Sequence, residues 1–300
     1  MCRLICKGRD PVKRKLRKRI SAALIITALA LIAAASAVFA ASPSLRYTAG
    51  EYLGLNTRKI TLAKVSPELK TYGLGELRDD SRVTFDQSMM LVNGDHPIQE
   101  SFVPELTEYK TSGVEMNRCA VKAYASLSAA VSEQTESKLC IMSSIRDEQE
   151  QAELYNSDPD TAAAPNASEH LTGLGLDVYV KNYAGSGFIK SPAGQFVNSN
   201  SWRYGFIIRY PSYGKSSTGI SFEPWHLRYV GEPHAKVIYN NRLTLEEYIG
   251  SLEEGEWYSA DGYLVSRQQE GATLELPNSF ALAVISPDNT GCYIITVRTK

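Results

Sequence analysis

Two short stretches of the 300-residue chain carry the residue types for metal chemistry. One is Ser168-Glu169-His170-Leu171-Thr172-Gly173-Leu174-Gly175-Leu176-Asp177; the other, about fifty residues on, is Phe222-Glu223-Pro224-Trp225-His226. Together they offer two imidazoles, one carboxylate spaced to reach the same point, and a further carboxylate. A catalytic zinc site needs that set: three protein ligands, an open position for water, and a general base that is not itself a ligand. Zn2+ with an open position lowers the pKa of its water from ~15.7 towards ~7. A nearby carboxylate then takes the proton as a carbonyl is attacked, and later hands it to the leaving amine. The bland alternative for the same residues is two core histidines and two surface acids.

Local context favours convergence. The chain has four histidines, and His96 and His234 sit beside prolines without such neighbours. Gly173 and Gly175 follow His170 and let the backbone bend and approach closely. Residues 174–180 alternate as a strand, with Leu174, Leu176 and Val178 on one face and Gly175, Asp177 and Tyr179 on the other. A histidine before the bend and an aspartate after it can meet at one ion, with His226 as third ligand. The Pro224-Trp225 step displaces Glu223 from His226, so that it addresses the water rather than the metal. The pattern is not the His-Glu-x-x-His helix, so that motif's mechanism does not transfer.

The flanking elements read as an α+β frame. Met116, Ala120, Tyr124, Leu127 and Val131 recur at helical spacing. Residues 138–143 read as a short strand. Residues 147–155 read as a helix with acidic residues in its first turn, followed by a loop over 156–167. Residues 181–200 form a Gly/Ser/Asn-rich loop. Residues 205–210 and 219–223 read as a hairpin around a turn at 211–217, and 226–230 continue extended. Thr244-Leu245-Glu246-Glu247 is a capping box that starts a short helix. Beyond about 255, strand-like runs at 263–265, 280–285 and 292–297 suggest a small C-terminal β appendage. Residues 42–85 are polar and rich in turn residues, with one short strand candidate at 59–65, and read as a stalk.

The N-terminus supplies an address. Residues 1–19 hold nine Lys/Arg against one Asp, a net of +8 that leaves −9 for the rest of a chain whose total is −1. A basic head on an acidic body is not a nucleic-acid-binding layout. Residues 20–41 carry no charge and are long enough to cross a bilayer as a helix. The cationic flank then stays cytoplasmic and the bulk lies outside. A cleaved signal peptide is the alternative, with Val38-Phe39-Ala40 as small residues near the cut. Both readings export the domain. Cys2 and Cys6 fall on the cytoplasmic side. Cys119, Cys140 and Cys292 fall outside, either with a Cys119–Cys140 disulfide or as three buried thiols. No cysteine has zinc-ligand spacing.

Ser-x-His-x-x-Gly-x-x-x-Asp followed by Glu-Pro-Trp-His resembles the VanY-type D-alanyl-D-alanine carboxypeptidases. These belong to the wider group of lysostaphin-type peptidases and the zinc domain of hedgehog proteins. The resemblance covers about residues 85–250. It extends to Leu91-Val92-Asn93, Ser143-Ser144-Ile145-Arg146, Gly205-Phe206-Ile207-Ile208-Arg209-Tyr210-Pro211 and His226-Leu227-Arg228-Tyr229-Val230-Gly231. By that resemblance His170, Asp177 and His226 bind Zn2+ and Glu223 is the catalytic base. Arg146 faces the substrate carbonyl, where a guanidinium stabilises the oxyanion. Gln151 holds the terminal D-alanine, Ser168 lies near the substrate, and Trp225 packs beneath His226. Gly175 stands where the family usually has Ala, and Ser144-Ile145 replaces the more usual Gly-Tyr, a change that bears on peptide specificity.

The resemblance implies an α+β, hedgehog/D,D-peptidase-like domain whose central antiparallel sheet carries the zinc site. It implies an extracytoplasmic zinc carboxypeptidase that removes the terminal D-alanine from peptidoglycan stem peptides. The alternatives are L,D-carboxypeptidase or endopeptidase action at the same site, or a non-catalytic wall-binding module. The expected organisation is a basic cytoplasmic tail (1–19), a transmembrane or signal segment (20–41), a stalk (42–85), the catalytic domain (86–250) and a β appendage (251–300). The partners expected are stem peptides and the cytoplasmic membrane, with no nucleic acid; no feature names an oligomeric state.

Overall fold

The computed structural model describes residues 11–55, 57–157 and 163–299. The first ten residues of the expected basic tail, with Cys2 and Cys6, lie outside the described residues, as do 158–162 of the expected loop. The chain divides into two units, Met1–Ala49 and Gly50–Lys300. The first is dominated by helix α1 (Pro11–Ala41). From Leu24 to Ala41 it is apolar, long enough to cross a membrane, and none of this stretch is buried within the protein. That is consistent with a single-pass anchor or a signal sequence. Helix α2 (Pro43–Tyr52) follows.

The second unit is α+β. Its elements run β1 (Ala63–Val65), β2 (Leu69–Gly73), α3 (Leu74–Asp79), β3 (Val83–Phe85), β4 (Leu106–Glu108), β5 (Glu115–Asn117), α4 (Arg118–Thr135), β6 (Cys140–Ser143) and α5 (Glu148–Ser157). Then come β7 (Gly175–Tyr179), α6 (Pro192–Asn200), β8 (Phe206–Ile208), α7 (Lys215–Thr218), β9 (His226–Tyr229), α8 (His234–Asn241) and α9 (Leu245–Gly250). Five strands close the chain: β10 (Trp257–Ala260), β11 (Tyr263–Gln269), β12 (Thr273–Pro277), β13 (Leu282–Pro287) and β14 (Cys292–Arg298).

The central sheet has the order β6-β7-β9-β8 and is antiparallel throughout. Alternation along β7 turns Leu176 and Val178 into a core shared with α4 and α6. α4 contributes Ala120, Tyr124, Leu127 and Val131, the stripe expected from its spacing. Asn117 caps its first turn, accepting from the Cys119 amide. Asp177 and Gly175 are thereby left on the opposite face of the sheet.

Three sequence expectations are corrected. Residues 205–223 do not form a hairpin: β8 pairs with β9 instead, α7 occupies the end of the expected turn, and the segment expected to return at 219–223 forms no strand. The loop at 181–200 contains α6, whose start is set by Ser191 as N-cap and Pro192 in the first turn, and whose Phe196 and Val197 pack on the core. Polar composition masked both signals.

The expected stalk is the third. Its residues 63–85 form strands of the C-terminal β structure: β1 pairs with β10, β2 with β12, and β3, in parallel, with β13. The appendage is therefore not built from the C-terminus alone. Its six-stranded sheet has the order β1-β10-β11-β14-β13-β3. The physical reason is burial: Tyr72, Leu77 and the partly buried Val83 and Phe85 join Trp257, Leu276 and Ile295 in one apolar cluster. A second cluster packs Val265 and Ile294 of this sheet against Val237, Leu245 and Tyr248 of α8 and α9. Cys119, Cys140 and Cys292 are free thiols, so the Cys119–Cys140 disulfide is not formed.

Candidate active site

The register of the central sheet builds the site. Asp177 pairs with Ser143 on one side and with His226 on the other, so the three lie in one row across β6, β7 and β9. A β-bulge between Ile141 and Ser143 interrupts β6 just before the row, a device that re-aims side chains near functional sites. His170 reaches the row from a 3-10 turn that ends at Gly173, which has φ +66°. A Cβ at Gly173 would lie 2.8 Å from the Asn117 amide nitrogen, so both space and conformation call for glycine.

His170, Asp177 and His226 are all buried, and one donor atom from each lies within 4.8 Å of the others. His170 Nδ1 is 2.7 Å from the Ser144 carbonyl oxygen. A carbonyl only accepts, so Nδ1 carries the proton and Nε2 faces Asp177 Oδ2 at 3.3 Å. His226 turns Nδ1 to Asp177 Oδ1 at 3.0 Å, yet Oδ1 makes no hydrogen bond. A carboxylate oxygen this close to an imidazole nitrogen is stable when a cation or proton lies between them. Two imidazoles and one carboxylate are also the donor set Zn2+ takes in catalytic sites. The residues therefore fit the metal.

The electrostatics agree. Burial opposes charge on His226, but its contacts with Asp177 and Glu169 outweigh this and raise its pKa to about 10. Burial likewise opposes charge on Asp177, but the two histidines hold its carboxyl well below the usual range. Burial dominates at His170 and lowers its pKa.

Glu223 stands apart from the trio. Its Oε2 is 3.8 Å from His226 Nδ1. The turn that carries it is pinned on both sides: the Glu223 amide donates to the Tyr210 carbonyl, and the His226 amide donates to the Glu223 carbonyl. Asn198 of α6 holds the Pro224 carbonyl from behind at 2.8 Å. Burial pushes the Glu223 pKa up to about 7.

Arg146 closes the other side. Its Nη1 donates to Gln151 Oε1 at 2.6 Å, its Nη2 donates to Ser143 Oγ at 3.2 Å, and Nη2 lies 3.6 Å from Asp177 Oδ2. Gln151 is buried and spends its Nε2 on the Ala163 carbonyl. Ser168 is buried and its hydroxyl accepts from the His170 amide. The seven residues assigned to metal, catalysis or substrate all line one cavity of about 300 Å3. A larger cavity of about 700 Å3 shares Arg146 and Leu154 with it and runs past Ile141 and Met142 of the edge strand β6.

Sequence reasoning gave Trp225 the place beneath His226. Trp225 lines the cavity, and the rings found against His226 are those of His170 and Tyr210, with centroids 5.0 and 5.1 Å away. Sequence reasoning also assigned nothing to Glu169, although it adjoins a predicted ligand. Its carboxylate is buried between Arg209 and Arg228 and lies 3.8 Å from His226 Nε2.

The site and fold define a His/Asp/His metallopeptidase-like centre on an antiparallel sheet. Residues 113–232 match the family described as VanY, D-alanyl-D-alanine carboxypeptidase. The chain is 30% identical over 259 residues to a D-alanyl-D-alanine carboxypeptidase of Enterococcus faecium, covering 76% of this chain and 82% of that protein. It is 32% identical over 178 residues to the bifunctional D-Ala-D-Ala dipeptidase and D-Ala-D-Ala carboxypeptidase VanXYC of Enterococcus gallinarum, covering 54% of this chain and 93% of that protein. Its fold matches the crystal structure of the D,D-dipeptidase VanXYg in complex with a D-Ala-D-Ala phosphinate analog, with a TM-score of 0.61 at 24% identity over 78% of this chain and 99% of that one. The chain belongs to the VanY family of D-alanyl-D-alanine carboxypeptidases.

Proposed function

We propose that this chain is a zinc-dependent D,D-carboxypeptidase that acts outside the cytoplasm and removes the terminal D-alanine from peptidoglycan stem peptides. The observation that carries the reading is the convergence of a His/Asp/His donor set, a separate carboxylate and a fixed arginine in one cavity. His170, Asp177 and His226 hold the metal. Zinc bound there supplies Lewis acidity to water and to the scissile carbonyl.

The remaining steps belong to side chains of this chain. Glu223 takes the proton of the attacking water and returns it to the leaving amine. A carboxylate lifted by burial to about 7 is matched to exchange in both directions near neutral pH. Arg146 offers guanidinium donors to the oxygen on which charge develops, already oriented by Gln151 and Ser143. Gln151 and Ser168 line the end of the cavity assigned to the terminal D-alanine. The larger cavity beside β6 takes the rest of the stem peptide, entering past Arg146.

Helix α1 anchors the chain and residues 86–250 form the catalytic domain. The mixed β structure built from 63–85 and 251–300 supports that domain from one side. Mass spectrometry of digested muropeptides tests the reading. Pentapeptide should lose one alanine, tetrapeptide should stay intact, and a chelator should stop the reaction. Loss of alanine from tetrapeptide instead makes the enzyme an L,D-carboxypeptidase, and cutting of cross-links makes it an endopeptidase.

A further inference from the structure

We propose that Glu169 is a positioning residue for His226: its carboxylate receives the His226 Nε2–H and so holds the imidazole with Nδ1 turned to the metal, while Arg209 and Arg228 hold Glu169 in place. The inference rests on the reading that His226 is a metal ligand.

Three observations carry it. The first is a pair of orphaned atoms. Glu169 Oε2 and His226 Nε2 are both buried, neither has a hydrogen-bond partner, and they lie 3.8 Å apart. A neutral imidazole that presents Nδ1 to a metal carries its proton on Nε2, which then needs an acceptor. Glu169 Oε2 is the acceptor that the fold places there.

The second is the grip on the other oxygen. Glu169 Oε1 accepts from Arg209 Nε at 2.6 Å and from Arg228 Nη1 at 2.5 Å. Neither guanidinium is free to follow a different carboxylate orientation. Arg209 donates its two remaining nitrogens to Glu246 at 2.9 and 2.6 Å. Arg228 donates to the Ser88, Met90 and Tyr229 carbonyls. With Oε1 held from two sides, Oε2 has one direction left.

The third is the space. Gly175 pairs with Arg228, two residues along the strands from the Asp177–His226 pair. A Cβ on Gly175 would sit 3.1 Å from His226 Nε2 and 3.2 Å from Glu169 Cβ. A side chain at this position would crowd both residues.

The test uses the detergent-solubilised full chain and zinc itself. The stripped protein is titrated with Zn2+ against a chromophoric chelator, and thermal stability is read in parallel. Glu169→Asp keeps the charge for both arginines but withdraws it from His226; Glu169→Gln removes the charge. Both should bind zinc about 10- to 100-fold more weakly. Asp288→Asn breaks the Arg267–Asp288 ion pair of the C-terminal sheet, outside this network, and should lower stability while leaving zinc affinity at the parent value. Equal zinc affinity in parent and Glu169→Asp, with stability lost to the same degree as in Asp288→Asn, would show a purely structural carboxylate and overturn the proposal. A further measurement needs no variant. Nitrogen-15 NMR of the histidines in the zinc-loaded parent should place the His226 proton on Nε2, and a proton on Nδ1 would overturn it. If His226→Ala binds zinc as tightly as the parent, it is the metal reading that fails, whatever Glu169 does.

Discussion

His226 and His234 are eight residues apart, and both are buried, at 5% and 3% exposure. Their surroundings are opposite. His226 faces the carboxylates of Asp177, Glu223 and Glu169. His234 bridges two hydroxyls, with Nδ1 2.7 Å from Tyr248 Oη and Nε2 2.8 Å from Thr296 Oγ1. The first draws positive charge to itself. The second is kept neutral by burial, which pushes its pKa down to about 3. Burial alone therefore says little about what a histidine does; the charge and donor character of its neighbours decides between chemistry and packing. His234 ties α8 to β14, and with it the catalytic part to the C-terminal sheet.

The largest separation comes from deletion. His226→Ala should lose bound zinc and all D-alanine release, while His234→Ala should keep both and unfold at a lower temperature; metal analysis, turnover and calorimetry on the two variants read this. If His234→Ala also lost its zinc, the division between the two regions would be false. Next in size is Arg146→Ala, which should lower kcat about 10²- to 10³-fold with metal content unchanged. A change confined to KM would instead make Arg146 a binding group.

The pH response is smaller and has a definite sign. The folded protein refuses a proton at His234 that the unfolded chain accepts near 6.5. The contribution is thus complete above about 6.5 and is lost as pH falls towards about 3, by up to about 1.4 kcal/mol per pH unit. Urea midpoints between pH 7 and 5 should fall more steeply in the parent than in His234→Asn; parallel slopes would contradict it. The smallest effect is expected at Gly175→Ala. Relief of glycine's entropy cost, under about 1 kcal/mol, is opposed by crowding of His226 Nε2. Stability should barely move, whereas zinc affinity should fall measurably in the same titration. Unchanged affinity would mean that the His226 ring yields without consequence.

The donor trio was legible because it sits in two short motifs, His226 in the second, about fifty residues on. His170 and Asp177 share one motif, glycines mark the bend between them, and strand alternation sends Asp177 away from the core. What escaped the sequence depends on distant partners. β2 needs β12, some two hundred residues away, to become a strand, so polar residues 42–85 read as stalk. Glu169 meets Arg209 and Arg228 across 40 and 59 residues, and nothing in the motif itself discloses two arginines behind it. α6 was hidden by its Gly, Ser and Asn content, although Ser191-Pro192 is a start signal.

Glu223→Gln offers the most direct test of the central claim. The variant keeps the shape of the side chain and leaves the donor trio intact. Zinc content should remain at the parent level, while kcat for D-alanine release from pentapeptide muropeptide falls about 10²- to 10⁴-fold. Release at the parental rate from a zinc-loaded Glu223→Gln enzyme would contradict the account.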